Sequence, residues 1–215
     1  MSTRRLVVVS AGLRVPSTTR LLADQLAAAA TRALAAGGEA SEAYGVDVET
    51  IEVRDHAHAI MDALLTGFPT GELSAALDRL AAADAVVLVT PTFQASYSGL
   101  FKSFMDLVEE GRLRGKPVLL AATGGSERHS LAVEYALRPL LAHLGAIAVP
   151  TGVYAATGDL GGEGSASLTA RIERAARELA ALVSGGPLVA PVRDELADPT
   201  PFEHLLRRRP TLGST

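Results

Sequence analysis

Five short apolar segments alternate along the chain with stretches of helical period, and that alternation restricts the fold to a parallel sheet covered on both faces by helices. The apolar segments are Leu6–Val9, Val46–Val53, Ala85–Val89, Val118–Ala122 and Ala146–Val153. Ala85–Val89 is apolar at every position, as a strand buried on both faces must be. Val46, Val48, Ile51 and Val53 are interleaved with Asp47, Glu49 and Glu52, which predicts a more exposed strand. Helical stretches run from a Ser17 cap to about Ala36, where Gly37-Gly38 stops the helix, and then over Glu72–Ala83, Ser98–Glu110, about His129–Leu144 and Leu168–Val183. Asp55-His56-Ala57-His58 opens a less regular stretch. The short loop after the first strand selects an α/β three-layer sandwich whose five parallel strands are ordered 2-1-3-4-5.

At 215 residues and 48% hydrophobic content, the chain suits one well-buried domain over residues 1–184, followed by a Pro-containing tail over 185–215. Four glycines in Thr157–Ser165 predict a mobile loop before the last helix. The formal net charge of −4 gives no basic footprint for nucleic acid, and Arg207-Arg208-Arg209 reads as a solvated face. The absence of cysteine excludes disulfides, thiolate nucleophiles and Cys-ligated metals, so redox chemistry here needs a borrowed cofactor. Leu6–Val9 is too short for a signal-peptide core and no later apolar run approaches the ~20 residues of a membrane span, which reads as a soluble cytoplasmic protein. His56 and His58 beside Asp55 lack a further ligand at helical spacing, so no metal site is predicted.

Three loops after the first, third and fourth strands converge at the carboxyl edge of such a sheet, where open α/β folds bind ligands. The first carries Ser10, Gly12, Arg14, Ser17, Thr18 and Thr19, whose hydroxyls and guanidinium join the N–H groups of a helix start in a pattern that suits a phosphate. The bland alternative is a Ser17 cap beside a solvated Arg14. The chain has neither G-x-x-x-x-G-K-[ST] nor G-x-G-x-x-G here, which disfavours nucleotide triphosphate hydrolysis, and no G-x-S-x-G marks a nucleophile elbow. The second loop, with Pro91, Thr92, Phe93, Gln94, Ala95 and Ser96, offers main-chain polar groups and flat apolar surface, which suits a planar heterocycle with polar edges, flavin first among them. In the third, Thr123, Gly124, Gly125 and Ser126 allow close backbone approach, and Arg128 and His129 either meet a nicotinamide nucleotide or stay in water.

Two helices suggest assembly. Leu100, Phe101, Phe104, Met105, Leu107 and Val108 cover more than one stripe of Ser98–Glu110, leaving a face for a partner chain. Pro139 cannot donate to the carbonyl of Tyr135, which predicts a kink or π-bulge near Tyr135.

Taken in order, these loops with Ala95-Ser96-Tyr97-Ser98-Gly99-Leu100-Phe101-Lys102, Leu113-Arg114-Gly115-Lys116-Pro117-Val118 and Tyr135-Ala136-Leu137-Arg138-Pro139-Leu140 resemble the NADPH-dependent FMN reductase family, above all the reductases that feed sulfonate-type monooxygenases. The resemblance implies a flavodoxin-like fold, phosphate binding around Ser10, Arg14 and Ser17 to Thr19, and isoalloxazine contacts from Pro91 to Ser96 and Thr123 to Ser126. It implies FMN and NADPH as ligands, hydride transfer with no catalytic side chain, reduced FMN leaving for a monooxygenase, and a homodimer or homotetramer with flavins near its interfaces. It also implies that Tyr135 belongs to a bulged helix at an interface, a feature that goes with flavin used as a leaving substrate. The family often begins its phosphate site G-S-x-R-x-x-S, whereas Ala11 and Gly12 stand here where Gly and Ser are expected. The alternatives are a quinone, azo or chromate reductase that retains its flavin, and a non-enzymatic flavodoxin-like electron carrier.

Overall fold

The run Ala85–Val89 lies at the centre of the sheet, inside strand β3 (Ala85–Phe93), which is buried from Ala85 to Pro91 in this computed structural model. The structure describes residues 3–36, 45–160 and 164–185. The Gly37-Gly38 stop, part of the glycine-rich loop at 161–163, and the predicted tail beyond Gly185 lie outside the described residues. Strand β1 (Thr3–Ser10) and the strand Pro117–Gly124 flank β3 in parallel, with Val8 and Leu119 both opposite Val87. Strand β2 (Gly45–Glu52) lies outside β1, with Val48 opposite Leu6.

The sheet contains seven strands where five were expected, although the predicted order is kept. One addition is β4 (Ser96–Tyr97), a short antiparallel return on the end of β3. Pro117–Gly124 is therefore β5. The predicted fifth strand, Ala146–Val153, is split into β6 (Ile147–Ala148) and β7 (Val153–Ala156), and both pair with β5. Pro150 lies in the break because it has no N–H to give the ladder.

Alternation along β1 divides the interior in two. Leu6 and Val8 face helices α1 (Thr18–Ala35) and α6 (Ser165–Ser184), which pack on each other over Leu22, Leu26, Ala176 and Leu179. Val7 and Val9 face the opposite core with Ile60, Leu73, Phe101 and Phe104. That side is covered by α2 (Ala57–Thr66), α3 (Gly71–Ala82), α4 (Gly99–Met105) and α5 (Arg138–His143). Helix α2 occupies the stretch read as irregular; its buried Ile60 and Ala63, three apart, are the inward face that the polar His56–His58 start obscured.

Helix α4 stops at Met105, short of the predicted Glu110. The turn is tightened by Leu107 N–H to Phe104 O and Val108 N–H to Met105 O, and Gly111 and Gly115, with φ of 83° and 71°, return the chain to β5. Leu100, Leu107 and Val108 pack, partly buried, against the core beside Phe101 and Phe104, so much of that apolar surface is satisfied within the chain. The predicted His129–Leu144 helix begins instead as a 3₁₀ turn, Glu127–His129. A π-helical turn then spans Val133–Leu137 with Tyr135 at its centre, four positions before Pro139, as the missing N–H predicts.

Candidate functional site at the carboxyl edge of the sheet

Strands β1, β3 and β5 deliver the three loops to one edge, and side chains join them. Ser10 ends β1 completely buried, and its hydroxyl has no hydrogen-bond partner within the protein. Such a group costs about 1–3 kcal/mol if left unmet, so it marks a place for an external acceptor or donor. Gly12 follows in a tight fold against the helix start, where a Cβ would come within 2.1 Å of Ser17 Oγ. The same Ser17 oxygen caps α1 by accepting from Arg20 N–H at 3.1 Å. Thr18 and Arg14 are exposed, and the Arg14 carbonyl accepts from Arg54 Nη1 at 3.2 Å. Arg20 is less available to an anion: hydrogen bonds to Asp24 and Glu52 hold it and raise its pKa further.

The second loop is more constrained than the sequence suggests. Thr92 and Phe93 pair with Tyr97 and Ser96, leaving Gln94 and Ala95 as the two central residues of a hairpin. Both adopt left-handed backbone, with φ of 48° and 65°. This is the sign that a two-residue turn matched to sheet twist requires, and for non-glycine residues it carries a cost of roughly 1–2 kcal/mol each. A conformation held at that cost fixes where the exposed peptide groups of Gln94 and Ala95 point. Phe93 keeps 47% of its surface exposed beside them, a flat face available for stacking. Behind the turn, Ser98 N–H donates to Thr90 Oγ1 at 3.1 Å, and Ser98 Oγ caps α4.

In the third loop Thr123 is buried and its Oγ1 lies 2.8 Å from Thr19 Oγ1, joining the first loop to the third. Ala11 N–H donates to Val89 O, joining the first loop to β3, and Pro91 is opposite Thr123 in the sheet register. Gly124 abuts Tyr154, whose hydroxyl would stand 2.0 Å from a Cβ at Gly124 and donates to Ser126 O at 2.8 Å. Gly125 is exposed with open space where a side chain would be. Thr157 Oγ1 reaches Gly124 O at 3.4 Å. Arg128 and His129 are exposed in the 3₁₀ turn that follows, and the π-helical turn packs against β4, with Tyr135 79% exposed.

The site thus gathers Ser10, Gly12, Ser17, Thr19, Pro91 to Ser96 and Thr123 to Ser126 by contacts within the protein, while Arg14, Thr18, Arg128, His129 and Tyr135 remain on its rim. Tyr154 and Thr157 were not legible as site residues. The predicted fifth strand ended at Val153, and nothing in Tyr154-Ala155-Ala156-Thr157 distinguishes them until β7 pairs with β5.

These residues fit a flat heterocycle carrying a phosphate: the unmet Ser10 hydroxyl and compact Gly12 turn lie at a helix start, and the exposed Phe93 ring stands beside oriented peptides. A bound flavin of that kind supplies hydride-accepting chemistry of its own. No helix among the described residues is long and apolar enough to cross a membrane.

Known proteins point the same way. The model of the NADPH-dependent FMN reductase family matches residues 4–160. An FMN reductase (NADPH) of Pseudomonas aeruginosa is 38% identical over 183 residues, covering 84% of this chain and 93% of the relative. The NADH-dependent FMN reductase SfnF of Pseudomonas putida is 38% identical over 70% of this chain and 76% of its own length. Among solved structures, an oxidoreductase from Corynebacterium diphtheriae superposes with a TM-score of 0.81 at 45% identity, covering 87% of this chain and all of that one. The span of the family match and the extent of these likenesses lead to one conclusion: the chain belongs to the NADPH-dependent FMN reductase family.

Proposed function

We propose that this protein oxidises NAD(P)H at the expense of FMN and releases the reduced flavin to a partner monooxygenase. The observation that carries the reading is the buried, unpartnered Ser10 hydroxyl at the end of β1, beside the start of α1 and tied through Thr19 to Thr123. Family membership supports the reaction class, and the SfnF relative is itself named an NADH-dependent FMN reductase.

In this reading Ser10, Ser17, Thr18 and Thr19 hold the flavin phosphate with the N–H groups of the α1 start, and exposed Arg14 adds a charge-assisted contact. Gln94 and Ala95 present peptide groups to the ring edge, and Phe93 shields a ring face from water. Gly125, beside Gly124, admits the ring close to the backbone, and Arg128 and His129 meet the phosphates of the nicotinamide nucleotide. No side chain here needs to act as nucleophile or acid; the protein contributes position and a fixed polar environment. The proposal extends to a homo-oligomer in the cytoplasm, with Tyr135 and the 62%-exposed Leu131 at a subunit contact.

The test is NAD(P)H oxidation by dialysed protein with and without added FMN, run with both nucleotides, alongside an absorbance spectrum of the purified protein. Colourless protein with FMN-dependent turnover is the expected result. Yellow protein that needs a quinone or azo acceptor overturns flavin release, and yellow protein inert to both nucleotides overturns the enzymatic reading.

A further inference from the structure

We propose that Tyr154 is the positioning residue of the flavin site, its hydroxyl holding the Gly124–Ser126 backbone in the conformation that receives the ring. The proposal deepens the flavin-reductase reading and rests on it. Tyr154 lies on β7 opposite Ala122, with Val153, Ala155 and Ala156 buried around it. Its ring enters the core shared by Val133, Leu137 and Ala122 and is 7% exposed. Phenylalanine would satisfy that burial equally well, so the hydroxyl is the part that needs a reason.

Its reach supplies one. The oxygen donates to Ser126 O at 2.8 Å and occupies the space a Cβ on Gly124 would need, a position 3.6 Å from Thr92 Cβ. It therefore lies close to the carboxyl ends of both β3 and β5. Gly125 has no heavy atom near its Cβ position, and the Thr157 contact to Gly124 O is long at 3.4 Å. Gly124 ends β5 opposite Ala156 and Gly125 beyond it has no side chain, so the arch past the ladder depends on what grips its carbonyls. Burial raises the Tyr154 phenol above its ordinary value, so the group is a protonated donor at neutral pH with room to spare. With the donor removed, the arch keeps its sequence and loses its anchor, and a bound ring must supply the ordering.

The experiment uses Tyr154→Phe in the full chain, with FMN affinity read by quenching of FMN fluorescence and, in parallel, by steady-state NADPH oxidation. The expected result is a Kd and KM for FMN raised roughly three- to tenfold, the factor corresponding to one net hydrogen bond. The KM for NADPH should stay within about twofold, a split that a general loss of stability would not produce. Gly124→Ala gives the second arm. In the wild-type background its new methyl meets the phenol oxygen and weakens FMN binding strongly; in the Tyr154→Phe background the nearest ring carbon stands at 3.1 Å and the penalty should shrink. Unchanged FMN affinity in Tyr154→Phe, or strict additivity of the two substitutions, overturns the proposal. Wild-type protein that binds FMN without turnover overturns the reductase reading alone, because the quenching titration still decides the role of Tyr154. Wild-type protein that does not bind FMN overturns both.

Discussion

Arg138→Met should unfold the protein earlier, because Arg138 clamps the π-helical turn to the break in the fifth strand. Its Nη1 donates to Val149 O at 2.9 Å and its Nη2 to Pro150 O at 3.0 Å, while Nε and Nη2 pair with Glu134 at 2.5 and 2.9 Å. Val149 is fully buried, so losing a charge-assisted bond to its carbonyl costs about 1.5–3 kcal/mol. Pro150 is exposed and water can replace the guanidinium there, for a further ~0.5 kcal/mol. Glu134 is 44% exposed, so the ion pair is worth at most ~1 kcal/mol after solvent screening. The sum is about 3 kcal/mol, which lowers Tm by roughly 6–12 °C in a chain of this size. Methionine keeps much of the apolar stem, so the loss reports the fork rather than its packing.

The control is Glu134→Gln, which breaks the ion pair and leaves both carbonyl bonds; thermal unfolding should shift by no more than about 2–4 °C. The pH dependence separates the two parts. Arg138 hydrogen bonding holds the Glu134 carboxyl below its ordinary value of 4.5, against the opposing effect of burial. A carboxylate depressed in the folded state contributes stability that is complete above the unfolded value and is lost as pH falls through the folded one. The difference in Tm between wild type and Glu134→Gln should therefore be largest near pH 6 and shrink below about pH 4.5. Most of the Arg138→Met deficit should persist there, because the carbonyl bonds do not titrate. An Arg138→Met shift no larger than that of Glu134→Gln refutes the clamp.

Two further outcomes follow from the site. Gly12→Ala drives a methyl to 2.1 Å from Ser17 Oγ, so the hydroxyl must leave the α1 cap; together with crowding at Thr19 Cβ this should cost about 2 kcal/mol in denaturant unfolding, and less in a Ser17→Ala background. Tyr135→Ala removes an exposed aromatic from the π-helical turn and should slow flavin release or let flavin copurify, checked by the visible absorbance of the purified protein; unchanged affinity and turnover remove Tyr135 from that role.

Much of the fold was legible because it depends on local pattern. A run such as Ala85–Val89 has no polar face and must be a central strand, and Ser17 before an Ala/Leu-rich stretch must cap a helix. Pro139 forecasts the π-turn by simple loss of a donor. The failures occur where a distant partner outweighs local preference. Helix α2 shows few inward residues until the core beneath it is known. The fifth strand is broken at Pro150, and the carbonyls beside the break are met by Arg138, a residue of another element. Gln94 and Ala95 read as an open loop because neither favours left-handed backbone; the β3–β4 pairing imposes it.

The candidate site divides the same way. Its three loops are visible from the sequence because strands of a parallel sheet all end at one edge, so topology alone brings Ser10, Pro91 and Thr123 to the same side. How tightly they are joined is a tertiary property. Thr19 finds Thr123 across 104 positions of chain, and Tyr154 finds Ser126 across 28, and neither pairing leaves a local trace. Hydrophobic period is written in neighbouring residues and fixes which segments are buried, whereas a side-chain hydrogen bond between loops depends on register and reach that exist only once the sheet has assembled.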